Sequence, residues 1–179
     1  MSGDITRRDL IKLGAAATLT SLGVRDVLAQ ARAPLFFTPE EFALVDELSE
    51  MILPTDDHSP GARAANVAAY IDARLAEAWE EKDQAMWKDG LKRVEEISNE
   101  MNAKRFLQSS PDQRVSVLTR MAGDNAKPAT AEEMFFAELK ARVVHAYYTS
   151  EIGIKQEIEY KGNTYQNEFA GIDVSEPQK

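Results

Sequence analysis

Apolar side chains recur every three or four positions along most of this chain, and no stretch alternates steadily between apolar and polar residues. Such spacing places the apolar residues on one face of an α-helix that packs against a core. Five stripes of this kind run from Phe42 to Ile52, Val67 to Trp79, Met86 to Met101, Val115 to Met121 and Phe135 to Tyr147. The pattern therefore predicts an all-α protein, a single small domain of about five main helices around one core.

The predicted helices have recognisable ends. In a capping box, a Ser or Thr and a Glu or Gln three residues later each bond the other's backbone N–H. The boxes are Thr38-Pro39-Glu40-Glu41, Ser110-Pro111-Asp112-Gln113 and Thr130-Ala131-Glu132-Glu133. Asn66 is a candidate cap for a further helix, Gly90 interrupts the third stripe, and Gly123 marks a helix end. The helical pattern fades after Tyr148, so a turn-rich C-terminal tail is predicted.

Residues 1–31 have the three parts of an export signal. A basic start with Arg7 and Arg8 precedes a short apolar stretch, and Ala29-Gln30-Ala31 offers a cleavage site of the small-x-small type. The paired arginines predict the twin-arginine route, which carries proteins that are already folded. The alternative is an amphipathic N-terminal helix that contains two arginines. We expect a signal peptide at residues 1–31, a helical domain at residues 32–179, and a periplasmic location.

Composition narrows the classes of partner and cofactor. The 179 residues carry a net charge of −9 and include no cysteine. An acidic protein repels nucleic acid and anionic lipid, so neither is expected as a main partner. We expect contact with a membrane only through the signal or through a partner protein. Without cysteine, the chain cannot hold an iron–sulfur cluster, a thiolate zinc site or covalently attached haem.

Asp56-Asp57-His58 is the best candidate for a chemical site. Carboxylates beside an imidazole can bind a metal or transfer protons. The alternative is that the carboxylates accept backbone hydrogen bonds in a turn before Pro60. His145 lies on a predicted helix, where we expect hydrogen-bonded packing. The sequence has no phosphate-binding glycine motif and no nucleophile elbow.

The chain thus combines an export route for folded proteins with no recognisable cofactor site. One explanation is that it binds a second protein that holds the cofactor, and that the complex leaves through this chain's signal. The alternatives are a metal-dependent enzyme that uses Asp56, Asp57 and His58, and a free-standing periplasmic helical binding module.

Trp79 and Trp87 are expected to be core residues or interface anchors.

Three sequence blocks together have the character of a family signature. Residues 52–62, Ile-Leu-Pro-Thr-Asp-Asp-His-Ser-Pro-Gly-Ala, run on into Tyr70-Ile71-Asp72. The segment 106–118 and the element Tyr160-Lys161-Gly162-Asn163 follow. With the twin arginines, these blocks resemble the gluconate 2-dehydrogenase subunit 3 family. Residues 149–159 depart from the shorter link that is usual in that family.

The resemblance implies a non-catalytic small subunit that supports the folding, stability and export of a large flavoprotein. That partner is of the glucose–methanol–choline (GMC) oxidoreductase type, holds FAD and oxidises a sugar, sugar acid or glycoside. A c-type cytochrome, which contains haem, often takes the electrons onward. The resemblance implies no cofactor in this chain. Arg7 and Arg8 are the export residues, and the partner-interface candidates are Pro54, Thr55, Asp56, Asp57, Pro60, Gly61, Ala62, Tyr160, Gly162 and Asn163.

Overall fold

The computed structural model describes residues 33–123, 127–160 and 162. The predicted export segment, with Arg7 and Arg8, lies outside the described residues, and so does Asn163. The α-helices are α1 (Pro39–Ile52), α2 (Gly61–Ala64), α3 (Val67–Ala76), α4 (Glu81–Asn102), α5 (Pro111–Ala122) and α6 (Ala131–Tyr148). The described part of the chain has no strand, so the all-α prediction is confirmed, and α1, α3, α4, α5 and α6 are the five main helices.

All three predicted capping boxes are present. Thr38 Oγ1 accepts from Glu41 N at 3.2 Å, and Glu41 Oε2 accepts from Thr38 N at 2.8 Å. Ser110 with Gln113 and Thr130 with Glu133 make the same reciprocal pair at the starts of α5 and α6. Each box gives two N–H groups of the first turn an acceptor, which fixes where the helix begins.

Asn66 lies at the predicted start of a helix but, contrary to expectation, does not cap that helix with its side chain. Asn66 is the residue before α3, but it adopts a left-handed conformation with φ of 53°, and its side chain makes no capping hydrogen bond. It joins α2 directly to α3, and α2 is a single helical turn in a segment where the sequence has no apolar stripe. Asparagine tolerates this conformation better than most residues because its short polar side chain can bond locally.

Gly90 does not interrupt α4, which is continuous from Glu81 to Asn102. A Cβ atom added at Gly90 would overlap the ring of Phe135 on α6. The ring of Phe135 also meets that of Trp87 edge-on, with centroids 5.5 Å apart. Both rings are buried, so glycine serves here to let two helices approach closely around an aromatic core.

The chain also departs from the prediction after α6. Residues 153–157 form a π-helical turn, Gly153–Glu157, where the sequence pattern predicted the end of helical structure. Among the stripe residues, Val115 is 54% exposed and therefore lies outside the core that α5 forms through Val117, Leu118 and Met121. No helix of the described residues is long and apolar enough to cross a membrane.

The segment before α1 is bound to α3 by one buried carboxylate. Asp72 is 3% exposed and accepts hydrogen bonds from the backbone N–H groups of Leu35, Phe36 and Phe37, at 2.6, 3.0 and 2.9 Å. Phe37 enters the core beside Trp87, with ring centroids 6.1 Å apart. The segment from Leu35 to Phe37 is therefore part of the folded domain, and Phe37 is a core residue.

Candidate partner interface

The loop between α1 and α2 has an ordered base that is centred on Glu50. Glu50 Oε1 accepts from the backbone N–H of Thr55 at 3.0 Å and from its hydroxyl at 2.7 Å. Glu50 Oε2 accepts from Arg63 N at 2.8 Å, on the other side of the loop. Partial burial raises the pKa of Glu50, but the hydrogen bonds from Thr55 and Arg63 outweigh it and leave the pKa below its usual value. One ionised carboxylate therefore holds both ends of the loop.

Gly61 is required for the loop to close. Its φ is +76°, and a Cβ atom there would lie 2.7 Å from the backbone nitrogen of Thr55. Ala62 is fully buried, and its N–H donates to Leu53 O at 2.9 Å. Of the predicted interface residues, Gly61 and Ala62 thus lie inside the fold and shape the loop, whereas Pro54 and Thr55 are exposed on it.

Asp56 makes the turn that was the alternative to a chemical role. Its Oδ1 accepts from the backbone N–H groups of His58 and Ser59, at 2.8 and 2.7 Å. The Asp56 N–H donates to Ser59 O at 2.8 Å, which closes the same turn. These two backbone donors lower the pKa of Asp56 below its usual value of 3.8. Asp56 is therefore a turn-forming residue whose carboxylate is already engaged.

Asp57 and His58 are the exposed tip of the loop. Their side chains make no hydrogen bond or ion pair with another described residue. Within residues 33–123, 127–160 and 162, no group of three or more His, Asp or Glu side chains is placed to hold a metal ion, and Asp56, Asp57 and His58 do not form one. The tip of the loop thus presents the Asp57 carboxylate and the His58 imidazole to solvent on a fixed backbone, beside the hydrogen-bonded carboxylate of Asp56.

A network of ion pairs fixes the base of the loop to two other helices. Arg63 Nε lies 2.6 Å from Asp46 and its Nη2 lies 2.9 Å from Glu47 on α1. Glu47 is bridged in turn to Arg114 on α5, at 2.6 Å. The hydrogen bond that Arg63 donates to Asp46 is the largest influence that raises the pKa of Arg63, followed by the one that it donates to Glu47. Such a shared network restricts the loop more than an isolated surface pair does.

The loop also joins the C-terminal end of α6. The hydroxyl groups of Ser59 and Tyr147 are 2.6 Å apart, and Tyr147 is fully buried. Tyr148 meets the ring of Tyr147 edge-on, with centroids 5.3 Å apart, and is itself partly exposed. The contact puts the loop tip and the last turn of α6 on one part of the surface.

His145 lies on that part of the surface, which corrects the expectation of hydrogen-bonded packing. It is exposed, its imidazole makes no hydrogen bond with a described residue, and its ring centroid is 6.3 Å from that of Tyr70 on α3. Sequence reasoning missed Tyr70 as a surface aromatic because it belongs to a helical stripe, and it gave Tyr148 only as the point after which the helical pattern fades. We call Tyr70, His145 and Tyr148, together with residues 54–60, the loop face.

The C-terminal candidates are described only in part. Tyr160 follows the π turn, is 54% exposed, and donates its backbone N–H to Ile154 O at 3.0 Å. Gly162 has φ of +90°, and nothing lies within 4 Å of the position that a Cβ atom would take. Tyr160 and Gly162 are thus placed after α6, beyond Tyr148, and Asn163 lies outside the described residues.

Comparison with known proteins connects this arrangement to a family. A family model described as gluconate 2-dehydrogenase subunit 3 matches residues 39–165, which include every helix described above. No curated protein and no solved structure is similar enough to this chain to register as a match.

Proposed function

Because this chain belongs to the gluconate 2-dehydrogenase subunit 3 family, we propose that it is the non-catalytic small subunit of a periplasmic sugar-oxidising dehydrogenase. Its partner is a GMC-type large subunit that holds FAD and carries out the oxidation of a sugar, sugar acid or glycoside. The family match over residues 39–165 is the observation that carries this proposal, because the family is described as one subunit of a dehydrogenase.

The loop face has the properties of a surface that binds a protein. Backbone hydrogen bonds to Glu50 and Asp56, and the bond between the Ser59 and Tyr147 hydroxyl groups, fix the loop before any partner arrives. A fixed loop loses little conformational entropy on binding, so more of its contact energy appears as affinity. Partly exposed aromatic side chains such as Tyr70 and Tyr148 are enriched at protein interfaces. In this proposal, the exposed tip Asp57 and His58 and the neighbouring aromatics contact the large subunit.

The same proposal assigns export of the complex to this chain. Arg7 and Arg8 are the twin arginines of its signal. The Asp72 hydrogen bonds attach the segment that follows the signal to α3, so the signal precedes a folded unit by only a few residues. A large subunit docked on that unit would travel with it. A c-type cytochrome is proposed as a third subunit that receives the electrons and gives the complex a membrane attachment.

The test is purification of the tagged full-length chain from its native host. The expected result is co-purification of a flavoprotein, seen as a flavin absorbance spectrum in the complex. A tagged chain that emerges alone and without flavin would overturn the assignment as a subunit.

A second measurement tests the export role. Replacing Arg7 and Arg8 with lysine is expected to leave both proteins in the cytoplasm, whereas Arg25→Lys, in the same segment, leaves export unchanged. If the flavoprotein still reaches the periplasm after the double substitution, this chain does not export it.

A further inference from the structure

Trp79 is the most exposed large apolar side chain among the described residues. It is 98% exposed, whereas Trp87, eight positions later, is completely buried between Phe37 and Phe135. Tryptophan has one of the largest apolar surfaces of any side chain, and folding normally removes most of it from water. The core uses one indole of this chain and leaves the other on the surface.

The backbone around Trp79 is fixed. On its N-terminal side, Ala78 N donates to Leu75 O at 3.2 Å and ends the last turn of α3. On its C-terminal side, Asp83 N donates to Glu80 O at 3.0 Å in the first turn of α4. Gln84 Nε2 also reaches Leu75 O, at 2.8 Å, and ties the two helices together across the turn. Trp79 is thus presented on a tight connection between helices, and its exposure is a property of the fold.

The surface around Trp79 continues into the loop face. Trp79 lines a cleft of about 280 Å³ with Arg74 at the end of α3 and Arg142 on α6. Arg142 is followed on α6 at intervals of three residues by His145 and Tyr148, and residues at this spacing are neighbours on a helix surface. One face of α6 therefore leads from the Trp79 cleft to the loop face, so a single partner can cover both.

Charge identifies the chemistry of that partner. Residues 77–83 around Trp79 contain four acidic side chains and one basic side chain, Lys82. The acidic residues are Glu77, Glu80, Glu81 and Asp83. Lys82 pairs with Glu80, and Arg74 pairs with Glu77 at 3.1 Å. Arg142, the other cation of the cleft, pairs with Glu138 at 2.6 Å. Glu81 and Asp83 form no ion pair with a described residue. The rim around the indole is consequently acidic, and its excess charge favours a cationic partner surface.

The same acidic rim argues against two other occupants. A second copy of this chain would bring like charges together around the indole, which is unfavourable at an interface. An anionic membrane surface, which tryptophan side chains otherwise favour, would be repelled in the same way. A protein pocket with an apolar floor and a rim of arginine or lysine side chains is complementary to the apolar indole and to the acidic residues around it.

We propose that Trp79 is the anchor of a second contact with the large subunit, in which its indole enters an apolar pocket with a basic rim. This inference rests on the proposed function, because the pocket belongs to the large subunit proposed above. It adds a contact that neither the loop nor the C-terminal element supplies. Buried tryptophans are among the residues whose truncation costs most at protein interfaces.

The test uses the full-length chain labelled with fluorotryptophan, whereas the large subunit is left unlabelled. The chain has two tryptophans, so fluorine NMR gives two signals, and Trp79→Phe identifies that of Trp79. In the isolated chain the Trp79 signal responds to a change from H₂O to D₂O, and the Trp87 signal does not. On addition of the purified large subunit, the Trp79 signal is expected to move and to lose that response.

Affinity provides the second readout. Trp79→Ala is expected to weaken binding of the large subunit at least ~10-fold, the scale of an interface hot spot. Met134→Ala removes another exposed apolar side chain, from the first turn of α6, and is expected to change affinity less than about 2-fold. Unchanged thermal unfolding of both variants shows that the fold is intact.

The outcomes separate this inference from the proposed function. If no complex forms with the unmodified chain, the proposed function fails. If the complex forms but the Trp79 signal keeps its response to D₂O, or Trp79→Ala binds as tightly as the unmodified chain, the anchor is disproved and the proposed function stands. A Trp79 signal that moves with concentration in the isolated chain would instead identify a second copy as the occupant and overturn the proposal.

Discussion

The hydroxyl groups of Ser59 and Tyr147 lie 2.6 Å apart, although 88 positions separate the two residues in sequence. Ser59 closes the turn that Asp56 forms, and Tyr147 is a buried member of the core. The bond therefore connects the exposed loop directly to the interior of the domain. Because Ser59 Oγ also accepts from Gly61 N at 3.3 Å, the same hydroxyl links the turn to the start of α2.

Tyr147→Phe is expected to lower the free energy of unfolding by about 1 kcal/mol, since it removes one partly buried hydrogen bond and preserves the ring. Ser59→Ala should cost a similar amount, and the double variant should cost less than the sum because both changes remove the same bond. Urea unfolding monitored by circular dichroism measures all three. Tyr148→Phe, on the exposed ring next to Tyr147, is the control and should change little. Additive effects of Tyr147→Phe and Ser59→Ala would show that the contact contributes no coupling.

Gly61→Ala is expected to destabilise the protein by roughly 2 kcal/mol or more, because a left-handed φ and a clash with the Thr55 backbone act together. Gly162→Ala separates the two causes, since Gly162 also has positive φ but has open space around it. That variant should cost no more than about 1 kcal/mol, the conformational part alone. Thermal unfolding compares the two, and equal shifts would mean that crowding at Gly61 is unimportant.

Asp57→Ala and Asp56→Ala are expected to separate partner binding from folding. Asp56 accepts two backbone hydrogen bonds, so its replacement should lower thermal stability. Asp57 makes none with the described residues, so Asp57→Ala should leave stability within about 0.5 kcal/mol of the original. Weaker binding of the large subunit by Asp57→Ala at unchanged stability would support the loop face as the interface. Binding that follows stability in both variants would limit the loop to a structural role.

The turn at Asp56 is expected to weaken in acid. Its folded pKa lies below the usual value of 3.8, so the ionised carboxylate stabilises the fold fully above that pH. The contribution falls as the pH drops from 3.8 through the lower folded pKa, where the carboxylate becomes protonated. Asp56→Asn removes this ionisation and keeps an acceptor oxygen. The difference in unfolding free energy between original and variant should therefore be constant near neutral pH and change only below about pH 4. If the difference in unfolding free energy stays independent of pH down to acid unfolding, the Asp56 carboxylate does not stabilise the turn through a lowered pKa.

Asp72→Ala is expected to cost at least about 3 kcal/mol, since three backbone N–H groups lose a charged acceptor in a buried site. Asp72→Asn is the more informative change. The side-chain oxygen that this variant keeps can still accept from Phe36 and Phe37. Its NH₂ group faces the N–H of Leu35, so the loss of unfolding free energy should be intermediate. Asp89→Asn, on the exposed side of α4, is the matched control. Hydrogen exchange of the Leu35 amide should accelerate in Asp72→Asn, and protection equal to the original would disprove the bond's role.

The sequence was sufficient for the helices because their signals are local. Capping boxes at Thr38, Ser110 and Thr130 and the apolar stripes depend on residues three or four positions apart. The capping boxes were confirmed, and the helices of the described segments lie where the stripes placed them, apart from the short α2, a 3-10 turn at Phe106–Gln108 and the π turn. The resemblance to the family rested on short blocks of this same kind, and the family match over residues 39–165 confirmed it.

What tertiary structure alone decided depends on residues that are far apart in sequence. Gly90 was predicted only to interrupt the third apolar stripe, and the structure shows that the ring of Phe135 occupies the space of its missing side chain. Asp72 belongs to one of the family blocks, but its structural role gave no sequence signal, since its hydrogen-bond partners lie 35 to 37 positions away. Trp79 fitted the end of the α3 stripe, yet the helix ends at Ala76 and leaves the indole in water. Helical periodicity determines which face of a segment is apolar. Only the packing of the other helices determines how much of that face is buried.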